Sequence, residues 1–523
     1  MLVYLSIAFL ALPPLAMLVL RWVRPAFVYH WLIAVAGPLV AWPMILVTGL
    51  RLPQTLLLIS WVPGTLFPSW PILLVDRLSW PYAVALGTLA LAGILTEVAR
   101  APEADWASWS ASLVLTTLGI LAVYSANPLT LLLTWTAIDL FELVVLLWQV
   151  TPSHMRERVV VSFTARVFGS GLLVAAVLVA SSAGENLTFA VIPPQVSLLL
   201  LLAAGLRLGV LPLHLPFLQE PPLRRGLGTL LRLVPAAAAL VLLARTALAI
   251  SEHGGTLPWL PFLLALSGLA ALYGAVAWVF APDEHSGRPA WLLSMASFSV
   301  ASALRGQPSA SLAWGIAALF SGGLLFFSSA RDRRLEWLTL LGLFGISSLP
   351  FTPAWNGARL FDSPFQPQLL LFLLSLALLI FGYTRHTLHP IRSLAGVERW
   401  VWVIYPFGLA LLPLTHFAFG LWTNPGVEQA PRAGWWAGAA VLILAGLFSL
   451  WIRRGLSLDH YPLAIADSIF SLNWLYSGFW FIYNRLRLLI GFITEILEGE
   501  GGILWALLLL VLLLALLAAN GVS

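Results

Sequence analysis

Three things are scarce in this sequence: cysteine, lysine and charge. The 523 residues contain no cysteine, which excludes iron–sulfur clusters and cysteine-ligated zinc sites held by this chain alone. They also contain no lysine, so all 27 of the Lys and Arg side chains are arginines. Arginine keeps its proton at any physiological pH, and a proton relay in this chain would therefore depend on His, Asp, Glu or water.

Charged residues make up only 9% of the chain, whereas soluble domains contain about 25%. Hydrophobic residues make up 60% of the chain, and its mean hydropathy is +0.94. A water-soluble fold of this length would need far more polar surface. The same composition excludes collagen-like, disordered and disulfide-framework proteins, and the class that remains is an all-α polytopic membrane protein.

Sixteen apolar segments have the length of a membrane span, which is about 20 residues. They cover approximately 2–22, 29–49, 79–99, 107–125, 127–150, 159–181, 193–219, 224–251, 258–281, 289–306, 309–330, 335–361, 367–384, 400–422, 434–452 and 502–520. The first segment has no basic start, and we interpret it as a span and not as a cleaved signal peptide.

The arginines predict the orientation of the spans. Few follow even-numbered spans, chiefly Arg51, Arg77 and Arg432. Those that follow odd-numbered spans are Arg21, Arg24, Arg100, Arg156, Arg158, Arg224, Arg225, Arg288, Arg331, Arg333, Arg334, Arg385, Arg392, Arg399, Arg453 and Arg454. Because basic loops stay on the cytoplasmic side, both termini are predicted to face the periplasm across a cell inner membrane.

Residues 455–500 mix aromatic, charged and apolar residues without a uniform apolar run. This pattern predicts a lateral amphipathic helix along the membrane before the last span, with a re-entrant or tilted extra span as the alternative.

The predicted organisation is 1–106 for the N-terminal spans, 107–251 and 258–384 for two inverted five-helix repeats, 400–454 for the C-terminal spans, 455–500 for the lateral segment and 501–523 for the final helix.

Prolines interrupt two spans at matching depths. RLGVLPLHLPF contains Pro212 and Pro216, and GISSLPFTPAWNG contains Pro350 and Pro353. Two broken helices in corresponding parts of two repeats are typical of an ion pathway, because the freed backbone groups need polar surroundings. Ordinary proline kinks are the alternative interpretation.

Ionisable residues inside the predicted spans are the candidate site, because such residues are costly in a membrane and usually functional. Asp139 and Glu142 are three residues apart in TWTAIDLFELVV and share a helix face, where they should repel each other and favour a shared proton. Arg207 lies in the seventh span, with His214 one to two turns later. Asp139 or Glu142 could instead form a buried ion pair with Arg207, and His214 could simply bind the carbonyls freed by proline.

Two further arginines complete the candidate set. Arg232 lies within span 224–251, where binding to lipid headgroups is the alternative, and Arg359 ends the second broken helix near Asp362. The order acid, base, His, base on successive helices predicts a hydrated path for protons.

Six stretches then occur in a characteristic order. They are WVPGTLFPSWPILLVDRLSW (61–80), ANPLTLLLTWTAIDLFELVVLLW (126–148), RLGVLPLHLPFL (207–218), PAAAALVLLAR (235–245), ALFSGGLLFF (318–327) and SLPFTPAWNGARL (348–360). Over about residues 55–360 the chain resembles the antiporter-like membrane subunits of respiratory complex I, of Mrp cation/proton antiporters and of membrane hydrogenases. It resembles them as a divergent member.

The divergence concerns the charges of that family. Its fifth-span glutamate falls on Thr136, with Asp139 one turn further on, and its seventh-span lysine falls on Arg207. In the eleventh span the family histidine falls on Ala317 and the lysine on Ser321. The last family charge falls on Ala358, beside Arg359. The resemblance therefore implies a second half-channel weaker than the first.

The resemblance implies a membrane subunit that moves protons or cations through a divergent half-channel of a complex I-like or Mrp-like assembly. Asp139 with Glu142 would be its acid, Arg207 the ion-pair partner, and His214 the switch near neutral pH. No cofactor or metal motif is present, so any redox step of an NADH:quinone oxidoreductase-like complex would belong to partner chains. The expected partners are other membrane subunits, lipids and the moved ion, with no nucleic acid.

Two other functions fit the same residues. One is a transport-inactive docking subunit that keeps the fold, which the missing lysines favour. The other is a stand-alone transporter of cations or of bicarbonate-type substrates.

Overall fold

The structure, a computed structural model, describes residues 1–453 with short internal gaps and a few helical positions beyond them. The gaps are 62–63, 65–66, 100–104, 150–152, 215–224, 255–256, 258, 331–334, 363, 365, 390–393, 395 and 424–430. The later positions are 477, 480–481, 484–485, 487–488, 507 and 510–511. The chain divides into two compact units, Met1–Phe470 and Ser471–Ser523. The predicted lateral segment and the sixteenth span are therefore almost entirely outside the described residues.

The described part of the first unit contains fifteen α-helices. They are α1 (Leu2–Val23), α2 (His30–Thr48), α3 (Ser79–Glu97), α4 (Trp106–Val123), α5 (Pro128–Gln149), α6 (Ser153–Ser182), α7 (Ser197–Arg207), α8 (Arg225–His253), α9 (Leu260–Phe280), α10 (Arg288–Leu304), α11 (Pro308–Phe327), α12 (Glu336–Ile346), α13 (Leu369–Leu388), α14 (Val401–Thr423) and α15 (Gly434–Arg453).

These helices correspond in order to the first fifteen predicted spans, and the all-α membrane class is confirmed. Among the described residues, eleven helices are long and apolar enough to cross a membrane. The protein is therefore an integral membrane protein. The core lies around α3, α8 and α11. In the apolar stretch of each of these helices, 100%, 89% and 89% of the residues are buried, respectively.

Both predicted helix breaks are present. In each case the α-helix ends at the break and does not resume over the rest of the predicted span that the structure describes. α7 ends at Arg207, and turns occupy 208–213 where the prediction had helix to 219. α12 ends at Ile346 and is followed by turns and a 3-10 helix, Trp355–Phe361, in place of helix to 361. Pro216 lies outside the described residues.

The interrupted helix is the fourth in each predicted repeat, α7 in α4–α8 and α12 in α9–α13. This matching position favours the repeats, while their exact bounds and inversion stay predictions.

A β-hairpin that the sequence analysis did not predict precedes α3. Strand β1 (Gln54–Leu57) pairs antiparallel with β2 (Ile72–Val75), with Gln54 opposite Val75. The turn after β2 then starts α3, because Asp76 Oδ1 accepts the backbone N–H groups of Leu78 and Ser79 at 3.0 and 2.7 Å. The other carboxylate oxygen lies 3.2 Å from Arg245 Nη2 on α8. The hairpin thus fixes α3 against the central helix.

Candidate functional site

Helix α5 separates an apolar face from a polar one. Leu140, Val144 and Trp148 recur every fourth residue and are 49%, 65% and 74% exposed, as expected for a face that meets lipid. Asp139 and Glu142 lie on another face and are 2% and 0% exposed. Three-residue spacing places both carboxylates side by side towards the protein interior.

Arg207, the last residue of α7, binds Asp139 through both guanidinium nitrogens. Nη1 lies 2.7 Å from Oδ2 and Nη2 lies 2.7 Å from Oδ1, which is the parallel two-bond geometry that arginine forms with carboxylates. The guanidinium carbon also lies 4.2 Å from the centre of the buried Trp135 ring, a cation–π contact. The ion pair that was one alternative for these residues is present.

Arg166 on α6 is a site residue that the sequence analysis missed. Its Nη1 hydrogen-bonds the Oε2 of Glu142, and its Nε lies 3.7 Å from Asp139 Oδ1. It therefore lies between the two carboxylates. Its positive charge offsets the repulsion between them that the sequence predicted, so the two carboxylates can lie close together without sharing a proton. The signal was available, because an arginine inside an apolar span is itself unusual.

Arg232 on α8 completes the arrangement. Its Nη1 lies 3.5 Å from Glu142 Oε1, and the residue is 6% exposed. It therefore points to the interior carboxylate and not to lipid headgroups. From α7 to α8 the charges alternate in the order listed here, which we name the five-charge array: Arg207, Asp139, Arg166, Glu142 and Arg232.

A cavity of about 50 Å³ lies beside the array. Its wall includes Glu142, Arg166 and Arg232, and His214 lines it from the turn after α7. His214 is 1% exposed, and its Nδ1 lies 2.9 Å from the carbonyl oxygen of Pro212. A water molecule needs a cavity volume of about 10–15 Å³, so this cavity has room for more than one water molecule. The structure thus brings five of the six predicted residues to one place.

Arg359, the sixth, lies elsewhere. It belongs to the 3-10 helix Trp355–Phe361, which packs against α10, α11 and α15. Its neighbour Asp362 accepts the backbone N–H of Ala433 at 2.8 Å and offers its carbonyl to Arg305. The described contacts therefore place this end of the second repeat apart from the five-charge array.

The second repeat has aromatic packing near the position of the family lysine. Ser321 stands there, and its hydroxyl donates to the carbonyl of Gly342 at 3.0 Å. One residue on, a Cβ at Gly322 would lie 2.5 Å from Nε1 of Trp291. The Trp291 ring centre lies 5.4 Å from that of Trp278 and 5.7 Å from that of Tyr383. Close aromatic contacts of this kind belong to a packed core.

One imidazole approaches the same position from α14. His416 is 4% exposed and stacks on Phe320, with ring centres 5.2 Å apart and planes inclined by 23°. A Cβ on Gly345 would lie 2.5 Å from Ser321 Oγ and 2.8 Å from His416 Nδ1, so the two side chains converge there. The sequence analysis missed His416, since α14 lies outside both predicted repeats.

Among the described residues, no group of three or more His, Cys, Asp or Glu side chains has the arrangement needed to hold a metal ion. The chemistry available here is acid–base chemistry at the carboxylates of the array and at the adjoining His214, next to three fixed positive charges.

No family model matches the sequence, and no curated protein matches it. Solved structures do match. A chain of the Mrp complex from Dietzia sp. superposes with a TM-score of 0.69 at 14% identity, covering 100% of this chain and 63% of that chain. A chain of the membrane-bound sulfane sulfur reductase, an archaeal respiratory membrane complex, gives 0.68 at 13% identity, covering 98% and 100%.

A chain of respiratory complex I from Thermus thermophilus also matches, with a TM-score of 0.51 at 17% identity, covering 86% of this chain and 98% of that chain. This protein thus spans less than two thirds of the Mrp chain and nearly all of the other two. The predicted resemblance is confirmed as one of fold: the chain shares its fold with membrane chains of the Mrp complex, of the sulfane sulfur reductase and of respiratory complex I.

Proposed function

We propose that this chain is a membrane subunit of a multi-subunit complex of the Mrp or complex I type, and that it carries protons through a half-channel at the five-charge array. The observation that supports this most directly is the cavity itself, since Glu142 and His214 both line it. Buried ionisable groups around a space large enough for water are what a proton path through a membrane requires.

In this proposal the arginines do not carry protons. Their positive charges determine how readily the neighbouring carboxylates take up a proton. Glu142 receives a proton when Arg166 moves from it towards Asp139, because the carboxylate then loses its closest positive charge. His214 exchanges that proton across the cavity with the outlet of the path. Asp139 does not carry the proton in this proposal, since Arg207 binds both of its oxygens.

The half-channel runs through the first repeat only. In the second repeat Ser321 stands at the position of the family lysine. Trp291 packs against the adjacent Gly322. A proton leaving the first repeat would therefore reach the outside directly or through a partner subunit. We place the arginine-rich ends of the spans in the cytoplasm and both termini outside, as the distribution of arginine predicts.

Proton flux into vesicles tests the half-channel. We expect purified full-length protein in vesicles with an internal pH-sensitive dye to acidify the interior under an inside-negative diffusion potential. Glu142→Gln and His214→Ala should each reduce this flux to that of protein-free vesicles, because each removes a titratable group from the cavity wall.

The matched control is Glu284→Gln. Glu284 is also a buried carboxylate paired with an arginine, with its Oε1 2.9 Å from Arg225 Nη1, but it does not line the cavity. Its flux should equal that of the original protein. Equal flux in Glu142→Gln, or no flux in the unmodified protein above the protein-free level, would contradict the half-channel.

A second candidate, a docking subunit without transport, is favoured by the aromatic packing in the second repeat. It predicts no flux in any variant, together with co-purification of further membrane subunits from native membranes. A protein that conducts but co-purifies with nothing would instead fit the stand-alone transporter.

A further inference from the structure

We propose that Ser162 holds a water molecule through which a proton passes from Glu142 to His214. This inference rests on the proposed function and adds to it a positioning residue that keeps its own charge throughout. Among the described residues, Glu142 forms hydrogen bonds only with two arginines, and His214 only with the carbonyl of Pro212. Glu142 and His214 line the same cavity without bonding to each other, so a proton that moves between them needs water.

The hydroxyl of Ser162 is available to the cavity because it does not bond to its own helix. Ser162 is 1% exposed and lines the cavity, and its Oγ has no hydrogen-bond partner in the part of the chain that the structure describes. Helical Ser and Thr hydroxyls commonly donate to the carbonyl four residues earlier. Thr164, on the same helix, does so to Val160 at 2.9 Å. A buried hydroxyl without a partner is costly, and a water molecule in the cavity removes this cost.

The guanidinium of Arg166 brings the same water next to Glu142. Its Nη1 binds Glu142 Oε2, whereas its Nη2 is buried and bonds to no described residue. Arg166 follows Ser162 by four residues, so both side chains lie on one face of α6, and both line the cavity. Nη2 can only donate. A water molecule that accepts from it therefore turns its hydrogens towards the acceptors nearby, which include Ser162 Oγ.

The hydrogen bond of His214 identifies the atom that takes the proton. Its Nδ1 lies 2.9 Å from the carbonyl oxygen of Pro212, which can only accept, so Nδ1 carries the hydrogen and Nε2 has the lone pair. Protonated Glu142 gives its proton to the water while the water gives one of its own to Nε2. The carboxylate and the water are restored, and the imidazole becomes an imidazolium. Because Arg166 has moved away from protonated Glu142, Ser162 is the group that keeps the water in place.

Variants of equal shape at Ser162 test the hydroxyl itself. Ser162→Thr keeps the hydroxyl, and Ser162→Val has a methyl group in its place. In the vesicle flux assay, Ser162→Thr should conduct at close to the rate of the original protein. Ser162→Val and Ser162→Ala should conduct about 10–100-fold more slowly, since the water is no longer aligned. The ratio of flux in H2O to flux in D2O should rise in both, because proton transfer then limits the rate.

The matched control is Ser267→Ala. Ser267 Oγ on α9 is also buried without a hydrogen-bond partner among the described residues, but Ser267 does not line the cavity, so its flux should be unchanged. Full flux in Ser162→Val, with Glu142→Gln inactive, would overturn the role of Ser162 and leave the half-channel standing. Slow flux in all three Ser162 variants with an unchanged isotope ratio would also overturn it, since that is the result of a packing defect. No flux in the unmodified protein would overturn both proposals.

Discussion

The Asp139→Asn protein should lose about 3–5 kcal/mol of unfolding free energy, because the substitution leaves the Arg207 guanidinium buried without its counter-charge. Arg207 is 9% exposed, and its two short bonds both end on Asp139. Its other acceptors are the carbonyl of Arg166 at 3.2 Å and the hydroxyl of Ser170 at 3.5 Å, which cannot neutralise it. Equilibrium unfolding in detergent micelles, followed by tryptophan fluorescence, measures the loss.

A double variant measures the interaction between Asp139 and Arg207 separately from the contribution of each residue. Replacing both residues by apolar ones, Asp139→Leu with Arg207→Met, removes both buried charges at once and should recover most of the stability lost by the single changes, since such exchanges are often neutral. Losses that simply add would show that Asp139 and Arg207 are not coupled.

Asp76→Asn is the comparison within the same chain. Asp76 also pairs with a buried arginine, Arg245, but its side chain is 22% exposed. Arg245 keeps a bond to the carbonyl of Ser125, and asparagine can still accept the N–H groups at the start of α3. The loss should therefore be clearly smaller than for Asp139→Asn.

The residues of the array that could be predicted from sequence are those whose charge interrupts a recognisable pattern. Asp139 and Glu142 follow from their spacing on one face, and Arg207 follows from its place before a proline break. An ion pair with Arg207 was one of two alternatives for these carboxylates, and the sequence could not decide between them or say which carboxylate pairs, because the distance between α5 and α7 depends on how α6 packs between them. Arg166, on that intervening helix, escaped for the same reason: no motif surrounds it, and only the cost of its burial marks it.

The fold divides in a similar way. Long apolar spans are visible in hydropathy, because each has about the length of a bilayer core. The strands β1 and β2 have four residues each, and runs this short have no periodicity that distinguishes them from loop. Their pairing across a 14-residue connection, from 58 to 71, is set by contacts to the segment after α4, such as the 3.0 Å bond from Ala126 N to Ile72 O.

A glycine on α6 packs against the stem of Arg207, and we expect Gly169→Ala to lose about 1–3 kcal/mol of unfolding free energy through overpacking. A Cβ there would lie 2.7 Å from Cγ of Arg207 and 3.1 Å from the carbonyl oxygen of Ala203, both on α7. The arginine stem can shift, but the backbone carbonyl can do so only if the helices separate. Differential scanning calorimetry of the purified protein measures the change.

Gly171→Ala is the control on the same helix, since a Cβ at this position has no neighbour within 4 Å. Alanine favours helix over glycine by about 1 kcal/mol, so this variant should be neutral or slightly more stable. Equal losses in both variants would mean that α6 tolerates neither, and the close approach of α6 and α7 at Gly169 would not be the cause. A loss confined to Gly169→Ala would show that the close approach of α6 and α7 depends on the absence of a side chain at this residue of α6.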